Sequence, residues 1–423
     1  MRIAVIGAGV VGVTTAYALG KRGHEVTVIE RHDDAGRETS FGNAGQRSYG
    51  VVYPWADAAM VRRALPWLVK ADGPLKMAMP PSFDTLRFLL ATLRFALAPG
   101  VYGLNKRAMV HLGTYSRRCF LDLEQELNLD FDGGHDGLLH LASSPAQMAE
   151  YRKTGELLDE LGVPYQLLGP REVRDYEPGM TGDGPLHGAI RYQTDGTGDC
   201  HLFSRALARA CEQHGVSFRF QQQVQRLVAD DRRVQAVEMT GPDGRSDSMA
   251  VDACVVAAGC WSPGLVAPLD MRLPIYPVKG YSLTAPLLDP ERAPRSTVHD
   301  DNFKVVSTRL GDRLRATGFV ELADFARDIP EARLATIRKS VESRFPGCAD
   351  LDQASRWTGF RPMTPDGPAI IGRGSRDNLY LNTGHGTFGW TLSAASAELV
   401  AQVIDQEPTA LSLDPFRPDR FRV

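Results

Sequence analysis

Residues 2–30 read RIAVIGAGVVGVTTAYALGKRGHEVTVIE and predict a β-α-β unit. The apolar run at 2–6 is typical of a buried strand, residues 13–22 of a helix, and residues 26–30 of a second strand. Gly23 stands where a helix commonly ends in the left-handed region. A strand, a helix and a second strand within about 30 residues are the signature of a parallel sheet, so an α/β fold is predicted.

The first glycine-rich turn joins the strand to the helix. Gly7 permits a tight turn, Gly9 lets the backbone approach a pyrophosphate, and Gly12 lets helix and strand pack closely. The helix N-terminus presents free N–H groups to the phosphates. Glu30 ends the second strand, where its carboxylate can accept hydrogen bonds from both ribose hydroxyls and would repel a 2′-phosphate. The turn therefore predicts a dinucleotide site that disfavours NADP but does not separate FAD from NAD.

A second glycine-rich turn, residues 384–389, joins a predicted strand at 379–382 to a predicted helix at 393–404. Its helix N-terminus could stabilise the negative charge that develops on a flavin pyrimidine ring during reduction. An NAD dehydrogenase would not need this turn, so it favours FAD. His385 lies within the turn, and its position fits either a group that polarises the flavin or acts as a base, or a hydrogen-bonded loop residue.

Strand-glycine-helix units at both ends of the chain enclose a region with an antiparallel pattern. The predicted fold class is α/β, with a Rossmann-like FAD-binding domain built from discontinuous segments. A substrate domain of antiparallel β-sheet plus helices is inserted into it. We assign 1–50, 195–265 and 345–410 to the FAD-binding domain, and 51–194 and 266–344 to the substrate-binding cap. Residues 303–309 and 314–318 predict a hairpin within the cap.

Composition excludes several classes of protein. The 423 residues are 43% hydrophobic and 23% charged with a formal net charge of −3, and no basic block supports nucleic-acid binding. The six cysteines have neither Cys-x-x-Cys nor cysteine–histidine spacing, which predicts reduced thiols and no metal site. The N-terminal apolar run is too short for a signal peptide, and no apolar stretch of about 18 residues predicts a membrane span.

The segment 86–97 has an unusual apolar pattern. Its leucines form one helical face, Phe88 and Phe95 lie roughly opposite, and Arg87 and Arg94 flank the leucine stripe. A helix that is apolar on two faces is either buried or in contact with a membrane surface.

A substrate carboxylate calls for a bidentate arginine. Arg309 ends a predicted strand in the cap, and Arg313 and Arg315 are close rivals. Tyr281 lies in another predicted strand of the cap and is a second candidate.

Several ordered segments together resemble the bacterial D-amino acid dehydrogenases, within the group of glycine and sarcosine oxidase-like flavoproteins. The resemblance covers nearly the whole chain. It is carried by the segments 38–40, 43–46, 163–168, 197–200, 276–284, 357–367 and 382–387.

The resemblance implies FAD as the cofactor and a defined set of site residues. Tyr281 and Arg309 would hold the substrate carboxylate, Tyr53 would help to close the site, and His385 would lie beside the flavin. Arg47 departs from the family pattern. The implied flavin contacts are Val5, Ile6, Gly7, Ala8, Gly9, Val10, Val11, Gly12, Glu30, Arg31, Ser40, Asn43, Ala44, Gly45, Gln46, Val224, Ala257, Ala258, Gly259, Arg361, Gly384, His385, Gly386 and Thr387.

The implied reaction is oxidative deamination of D-amino acids, with D-alanine and similar small apolar substrates favoured. Hydride would pass from the α-carbon to flavin N5, and the products would be a 2-oxo acid and ammonia. Electrons would pass to a respiratory quinone, and the protein would be cytoplasmic with a peripheral contact at the inner face of the bacterial membrane. A flavin amine oxidase of glycine, sarcosine or D-hydroxyproline type, an NAD-dependent dehydrogenase and a non-catalytic FAD-binding subunit remain alternatives. The D handedness rests on the resemblance alone.

Overall fold

The protein, seen in a computed structural model that describes residues 1–61 and 75–421, has a mixed α/β architecture. One sheet is largely parallel and a second is largely antiparallel, as the sequence predicts. The strands, in chain order, are β1 (Arg2–Ile6), β2 (Glu25–Ile29), β3 (Gln46–Arg47), β4 (Leu75–Met77), β5 (Leu138–Ala142), β6 (Tyr165–Leu168), β7 (Gly188–Tyr192), β8 (Gly196–Thr197), β9 (Val216–Arg219), β10 (Gln223–Ala229), β11 (Val234–Thr240), β12 (Ser246–Ala250), β13 (Ala253–Val256), β14 (Tyr276–Pro286), β15 (Thr297–Asp300), β16 (Val305–Leu310), β17 (Arg313–Leu322), β18 (Ser355–Met363), β19 (Ile370–Arg373) and β20 (Leu379–Thr383).

Helices follow the same numbering along the chain. They are α1 (Val10–Lys21), α2 (Phe83–Leu97), α3 (Val101–Glu126), α4 (Pro145–Glu160), α5 (Pro170–Tyr176), α6 (Cys200–Cys211), α7 (Ser262–Val266), α8 (Glu331–Arg344) and α9 (Gly389–Ile404).

The first sheet has the strand order β19-β20-β13-β1-β2-β9. All neighbours are parallel except β19, which pairs antiparallel with β20. Its central strands are almost entirely apolar, as expected for parallel strands that are buried on both faces. Helix α1 packs against α6 and α9 over this sheet. The predicted β-α-β unit is therefore confirmed, and it lies at the centre of the sheet.

The second sheet has the order β18-β14-β17-β16-β15-β5-β7-β6, and β4 pairs with β17. The predicted hairpin is confirmed as β16 and β17, which pair antiparallel. One face of the sheet packs against Leu334, Ile337 and Val341 of α8 in an apolar core. The opposite face is turned toward the first sheet.

Every strand of the first sheet falls within the three ranges assigned to the FAD-binding domain. The cap ranges contain every strand of the second sheet except β18, which lies within 345–410 but pairs along the length of β14. The edge strand β18 of the second sheet therefore belongs to the segment that leads back to the first sheet. The division into an FAD-binding domain and a cap stays a proposal.

Helices α2 and α3 occupy the part of the chain with the unusual leucine pattern. No helix among residues 1–61 and 75–421 is by itself long and apolar enough to cross a membrane, although α2 and α3 pass that test as a pair bent by 95°. Phe88 is buried on the inner side of α2, where its ring stacks on Trp55 and Tyr276. The leucine face is directed outward, with Leu90 68% exposed.

Candidate active site

A cavity of about 1200 Å³ lies between the carboxyl ends of the strands of the first sheet and one face of the second. Ligands of open α/β sheets bind at this position. The cavity brings together residues from distant parts of the sequence. The predicted site residues that line it are Ile6, Gly7, Gly9, Val10, Val11, Glu30, Arg31, Ser40, Asn43, Ala44, Gln46, Tyr53, Val224, Ala257, Ala258, Gly259, Arg361, Gly384, His385, Gly386 and Thr387.

Four predicted cofactor contacts, Val5, Ala8, Gly12 and Gly45, adjoin these residues in sequence without lining the cavity themselves. Gly12 has a different role, which is to permit close packing. A Cβ atom on Gly12 would lie 1.8 Å from the carbonyl oxygen of Gly7.

The first glycine-rich turn forms an anion cradle at the N-terminus of α1. Gly7 has a φ of 102°, a region that L side chains rarely adopt. At Gly9 the nearest atom to an added Cβ would be Ser40 Oγ at 3.7 Å, so the backbone there is open to the cavity. Ser40 Oγ accepts a hydrogen bond from the Val10 amide at 3.1 Å. The arrangement fits a pyrophosphate bound by backbone amides.

Glu30 connects the end of β2 to this turn. Its Oε2 accepts a hydrogen bond from the Ala8 amide at 2.7 Å, and its Oε1 accepts one from the His32 amide at 3.0 Å. A carboxylate oxygen has a second lone pair, so each can also accept a ribose hydroxyl. The predicted role of Glu30 in holding a ribose fits this position.

Trp261 is a cavity residue that the sequence prediction missed. The Arg31 guanidinium lies 3.8 Å from the centroid of the Trp261 ring, and Arg31 also pairs with Glu38. Trp261 and Val224 line the cavity together with Glu30, and an indole beside an apolar side chain would suit an adenine ring. The available signal was its place in the sequence, two positions after Gly259, which the resemblance implies as a flavin contact.

The second glycine-rich turn directs the N-terminus of α9 toward the cavity. Gly384 and Gly386 have φ values of 71° and 58°, and both line the cavity. His385 Nε2 lies 3.1 Å from Ser396 Oγ, and burial lowers the pKa of His385 to about 3. His385 is therefore neutral near pH 7, which fits a hydrogen-bonded loop residue better than a cationic group beside the flavin.

Arg309 and Tyr281, which the sequence predicts to hold a carboxylate, are not brought to the cavity. Arg309 donates to the carbonyls of Gly311 and Pro290, and the Tyr281 hydroxyl donates to Glu321 at 2.8 Å. Successive side chains of a strand point to opposite faces of a sheet. Val306 and Gly280 line the cavity on these strands, so Arg309 and Tyr281 point to the other face. The prediction placed both residues on the wrong face.

The two alternative arginine candidates for binding the substrate carboxylate also lie outside the cavity. Arg313 and Arg315 pair with Asp199, and neither lines the cavity. Arg47, which departs from the family pattern, is fully buried, pairs with Glu124 and does not line the cavity either.

Arg361 is the arginine that faces the cavity from the second sheet. Its Nη1 donates to the carbonyl of Phe319 at 3.0 Å, and the absence of a side chain on Gly280 leaves room for the guanidinium. Phe319 has a φ of 68°, a strained conformation for a bulky residue. Burial lowers the pKa of Arg361 to about 10, and no carboxylate in the described part of the chain lies within ion-pair distance of it. Arg361 is half-buried, and a cation that is partly removed from water without a counter-charge favours an anionic ligand.

Tyr53 lines the cavity, and its role in closing the site stays a prediction. Its ring centroid lies 5.8 Å from that of Phe388, which lies within the second glycine-rich turn. Burial raises the pKa of the Tyr53 hydroxyl, so it stays protonated and can donate a hydrogen bond.

The cavity as a whole fits FAD. The glycine cradle suits a pyrophosphate, Glu30 a ribose, the Trp261 wall an adenine, and the second glycine-rich turn the far end of a flavin. Ligand cavities commonly measure about 300–1,000 Å³. The cavity here, at about 1200 Å³, is larger, so it has space for a small substrate beside a dinucleotide.

Comparisons with known proteins agree with this description. The family described as FAD dependent oxidoreductase (DAO) matches residues 2–403. The chain is 46% identical over 406 residues to a D-amino acid dehydrogenase of Cereibacter sphaeroides, an alignment that covers 96% of this chain and 92% of that protein. It is 44% identical over 424 aligned positions to a D-amino acid dehydrogenase of Chromohalobacter salexigens, covering 100% of this chain and 99% of that protein.

Solved structures with the same fold are more distant in sequence. Glycine oxidase from Geobacillus kaustophilus superposes with a TM-score of 0.73 at 23% identity, with 100% of each chain covered. L-proline dehydrogenase from P. horikoshii gives a TM-score of 0.75 at 20% identity, with 99% of this chain and 97% of that chain covered. At these identities the likeness shows the fold.

We expect Glu30→Ala to weaken FAD binding by about tenfold or more, because a hydrogen bond to a charged group contributes about 1.5–3 kcal/mol. The measurement is the dissociation constant of FAD for the apoprotein, followed by flavin fluorescence. Glu25→Ala is the matched control, because Glu25 is exposed at the other end of β2. Equal affinity in Glu30→Ala and the wild type would contradict the assignment.

Proposed function

The chain belongs to the DAO family of FAD-dependent oxidoreductases, and we propose that it is a D-amino acid dehydrogenase. The observation that carries the proposal is identity of 40–46% over nearly the full length to relatives of that name. The alignments span both glycine-rich turns and the strand that bears Arg361. D-alanine and similar small apolar D-amino acids are the proposed substrates, and a 2-oxo acid and ammonia are the products.

FAD, when bound, supplies a two-electron acceptor at flavin N5 for the hydrogen on the substrate α-carbon. The chain contributes orientation and electrostatics. The N-terminus of α9 faces the cavity, where its positive dipole end would stabilise negative charge on the pyrimidine ring of a bound flavin. The oxidised substrate is an imine, which takes up water and releases ammonia.

Arg361 is the proposed anchor for the substrate carboxylate, in place of Arg309. It is a guanidinium that faces the cavity without a neutralising carboxylate among the described residues. The backbone carbonyl of Phe319 holds one of its nitrogens and thereby fixes its orientation. An α-carboxylate there would satisfy the charge and set the position of the α-carbon.

The electron acceptor is proposed to be a membrane quinone, reached through a peripheral contact at the inner face of the bacterial cytoplasmic membrane. The proposed contact is the apolar patch, an exposed set on and around α2 that comprises Met79, Phe83, Leu86, Leu90, Leu93, Leu97 and Leu104. Arg87 and Arg94 are exposed on the same helix and would face anionic lipid headgroups. Exposed apolar side chains beside basic residues are typical of a helix that lies in a membrane interface.

Helix α3 connects the apolar patch to the cavity. Leu104 belongs to the patch and is 69% exposed, whereas Tyr102, Lys106 and Val110 of the same helix line the cavity. The spacing of four residues places these three on one helical face. An acceptor dissolved in the bilayer would therefore meet a wall of the cavity directly behind the patch.

We expect D-alanine to bleach the flavin absorbance of the holoenzyme under anaerobic conditions and L-alanine to leave it unchanged. Bleaching by L-alanine alone would refute the proposal, and a flavin that no amino acid reduces would favour a non-catalytic FAD-binding subunit. Stoichiometric peroxide in air, with no faster turnover on a quinone, would instead favour an amine oxidase.

Arg361→Met is expected to raise the KM for D-alanine about 100-fold or more, because loss of a buried charge pair costs about 2–5 kcal/mol. Steady-state assays with a soluble dye acceptor measure it, and the flavin-to-protein ratio is recorded in parallel. Arg309→Met is the matched control and should keep the wild-type KM. Loss of flavin with an unchanged KM would show that Arg361 binds the cofactor instead.

The double variant Leu86→Glu/Leu90→Glu is expected to bind anionic lipid vesicles at least about tenfold more weakly, since it removes apolar contact and adds charge repulsion. Vesicle co-sedimentation measures the binding, and Leu288→Glu, at a leucine 65% exposed outside the patch, is the control. Turnover on a soluble dye should not change. Undiminished vesicle binding would mean that the patch does not contact the membrane.

A further inference from the structure

A row of side chains crosses the cavity face of the second sheet. The strand pairing places His140 beside His299, His299 beside Val306, and Val306 beside Thr317. Cross-strand partners point to the same face of a sheet, and all four residues line the cavity. Two histidines that are 159 positions apart in sequence therefore lie side by side on the wall of the cavity.

Asp301 holds His299 from the side. The His299 Nδ1 lies 3.3 Å from Asp301 Oδ1, although the two groups are not aligned as a hydrogen bond. The other contacts of this carboxylate come from Tyr151 of α4, whose hydroxyl donates to Oδ2 at 2.6 Å, and from Lys304, whose Nζ donates to Oδ1 at 2.7 Å. With Nδ1 turned toward Asp301, Nε2 is the ring nitrogen left to accept a proton.

His299 packs against a second histidine within a group of ionisable side chains. Its ring centroid lies 4.4 Å from that of His140 on β5, and burial lowers the pKa of His140 to about 3, so His140 stays neutral. Contacts with His299 and Lys304 hold the pKa of Asp301 well below its usual value despite its burial. The other ionisable groups near Asp301 are Tyr53, Tyr151 and Tyr192, all with raised pKa values.

Next to this pair, the same row presents polar atoms without partners. The hydroxyls of Thr317 and Ser282 are buried and make no hydrogen bond to any group among residues 1–61 and 75–421, and these two residues are paired across β17 and β14. Thr317 is only 6% exposed and lines the cavity. A buried hydroxyl that lacks a partner calls for a ligand with a polar group. Arg361 bonds to the carbonyl of Phe319, two residues along β17, so the proposed carboxylate anchor is close by.

We propose that His299, oriented by Asp301, accepts the proton of the substrate ammonium group before oxidation. This inference rests on the proposed function. The substrate carboxylate binds at Arg361, and its nitrogen lies over the row formed by Thr317 and His299. A carboxylate that orients an imidazole is the arrangement of a general base.

The proton transfer balances without an added reagent. One N–H bond of the ammonium breaks, one N–H bond forms at His299 Nε2, and the positive charge moves to the imidazole beside Asp301. The amine keeps the lone pair. That lone pair forms the C=N bond as the α-hydrogen leaves with its bonding electrons to the flavin, and water then converts the iminium to the 2-oxo acid and ammonium.

The test is anaerobic stopped-flow reduction of the holoenzyme flavin by D-alanine across a range of pH. His299→Gln should reduce the flavin about 10²-fold more slowly at pH 7. The deficit should shrink about tenfold per pH unit as free amine becomes available in solution. The apparent dissociation constant of the variant for D-alanine should stay near the wild-type value when it is calculated from the concentration of the free amine.

His24→Gln is the matched control, because His24 also pairs with a carboxylate, Asp405 at 2.8 Å, but does not line the cavity. It should follow the wild-type profile. A loss in His299→Gln that is equal at every pH would overturn the proposal in favour of a structural pair. The proposal would also be overturned if the wild-type rate of flavin reduction rose tenfold per pH unit up to the pKa of the substrate amine. That measurement needs no variant. Failure of the proposed function would differ, since no D-amino acid would then reduce the wild-type flavin.

Discussion

The contact between Gly12 and the carbonyl oxygen of Gly7 determines how the rest of the site is arranged. A single methyl group on Gly12 would lie 1.8 Å from that oxygen, so α1 can approach β1 only because the residue is glycine. β1 pairs with β2 on one side and with β13 on the other. The close approach of α1 to β1 therefore helps to fix the carboxyl ends of all three strands. Glu30 and Ala257 face the cavity because the strands before them are held in this register.

The first sheet and its cradle could be predicted because their signals are local. Gly7, Gly9, Gly12 and Glu30 occur within one continuous unit, and the spacing of its parts defines the geometry. The second glycine-rich turn could also be read from a few neighbouring residues. Family resemblance added the cofactor and the reaction, which spacing alone left open.

The substrate side could not be predicted in the same way, because it depends on which face of a sheet a residue occupies. Arg309 and Val306 lie three positions apart on β16 and point to opposite faces, and nothing in the local sequence states which face meets the cofactor. Arg361 was predicted only as a cofactor contact, and its position on β18, with its side chain facing the cavity from the second sheet, became clear only from the structure. The His299–Asp301 pair becomes significant only once β15 lies beside β5, a pairing between distant segments.

The first sheet also sets the order in which the protein can be completed during synthesis. β1 and β2 leave the ribosome first, but β20 and the turn that follows it lie beyond residue 378. At about 5–20 residues per second, roughly 20–75 seconds separate the first cradle from the last. Until β13 is made, β1 lacks that neighbour, and one of its hydrogen-bonding edges has no native partner. The central strand is therefore paired on both sides before the last segments, β19 and β20, complete the sheet and bring the second glycine-rich turn to the cavity.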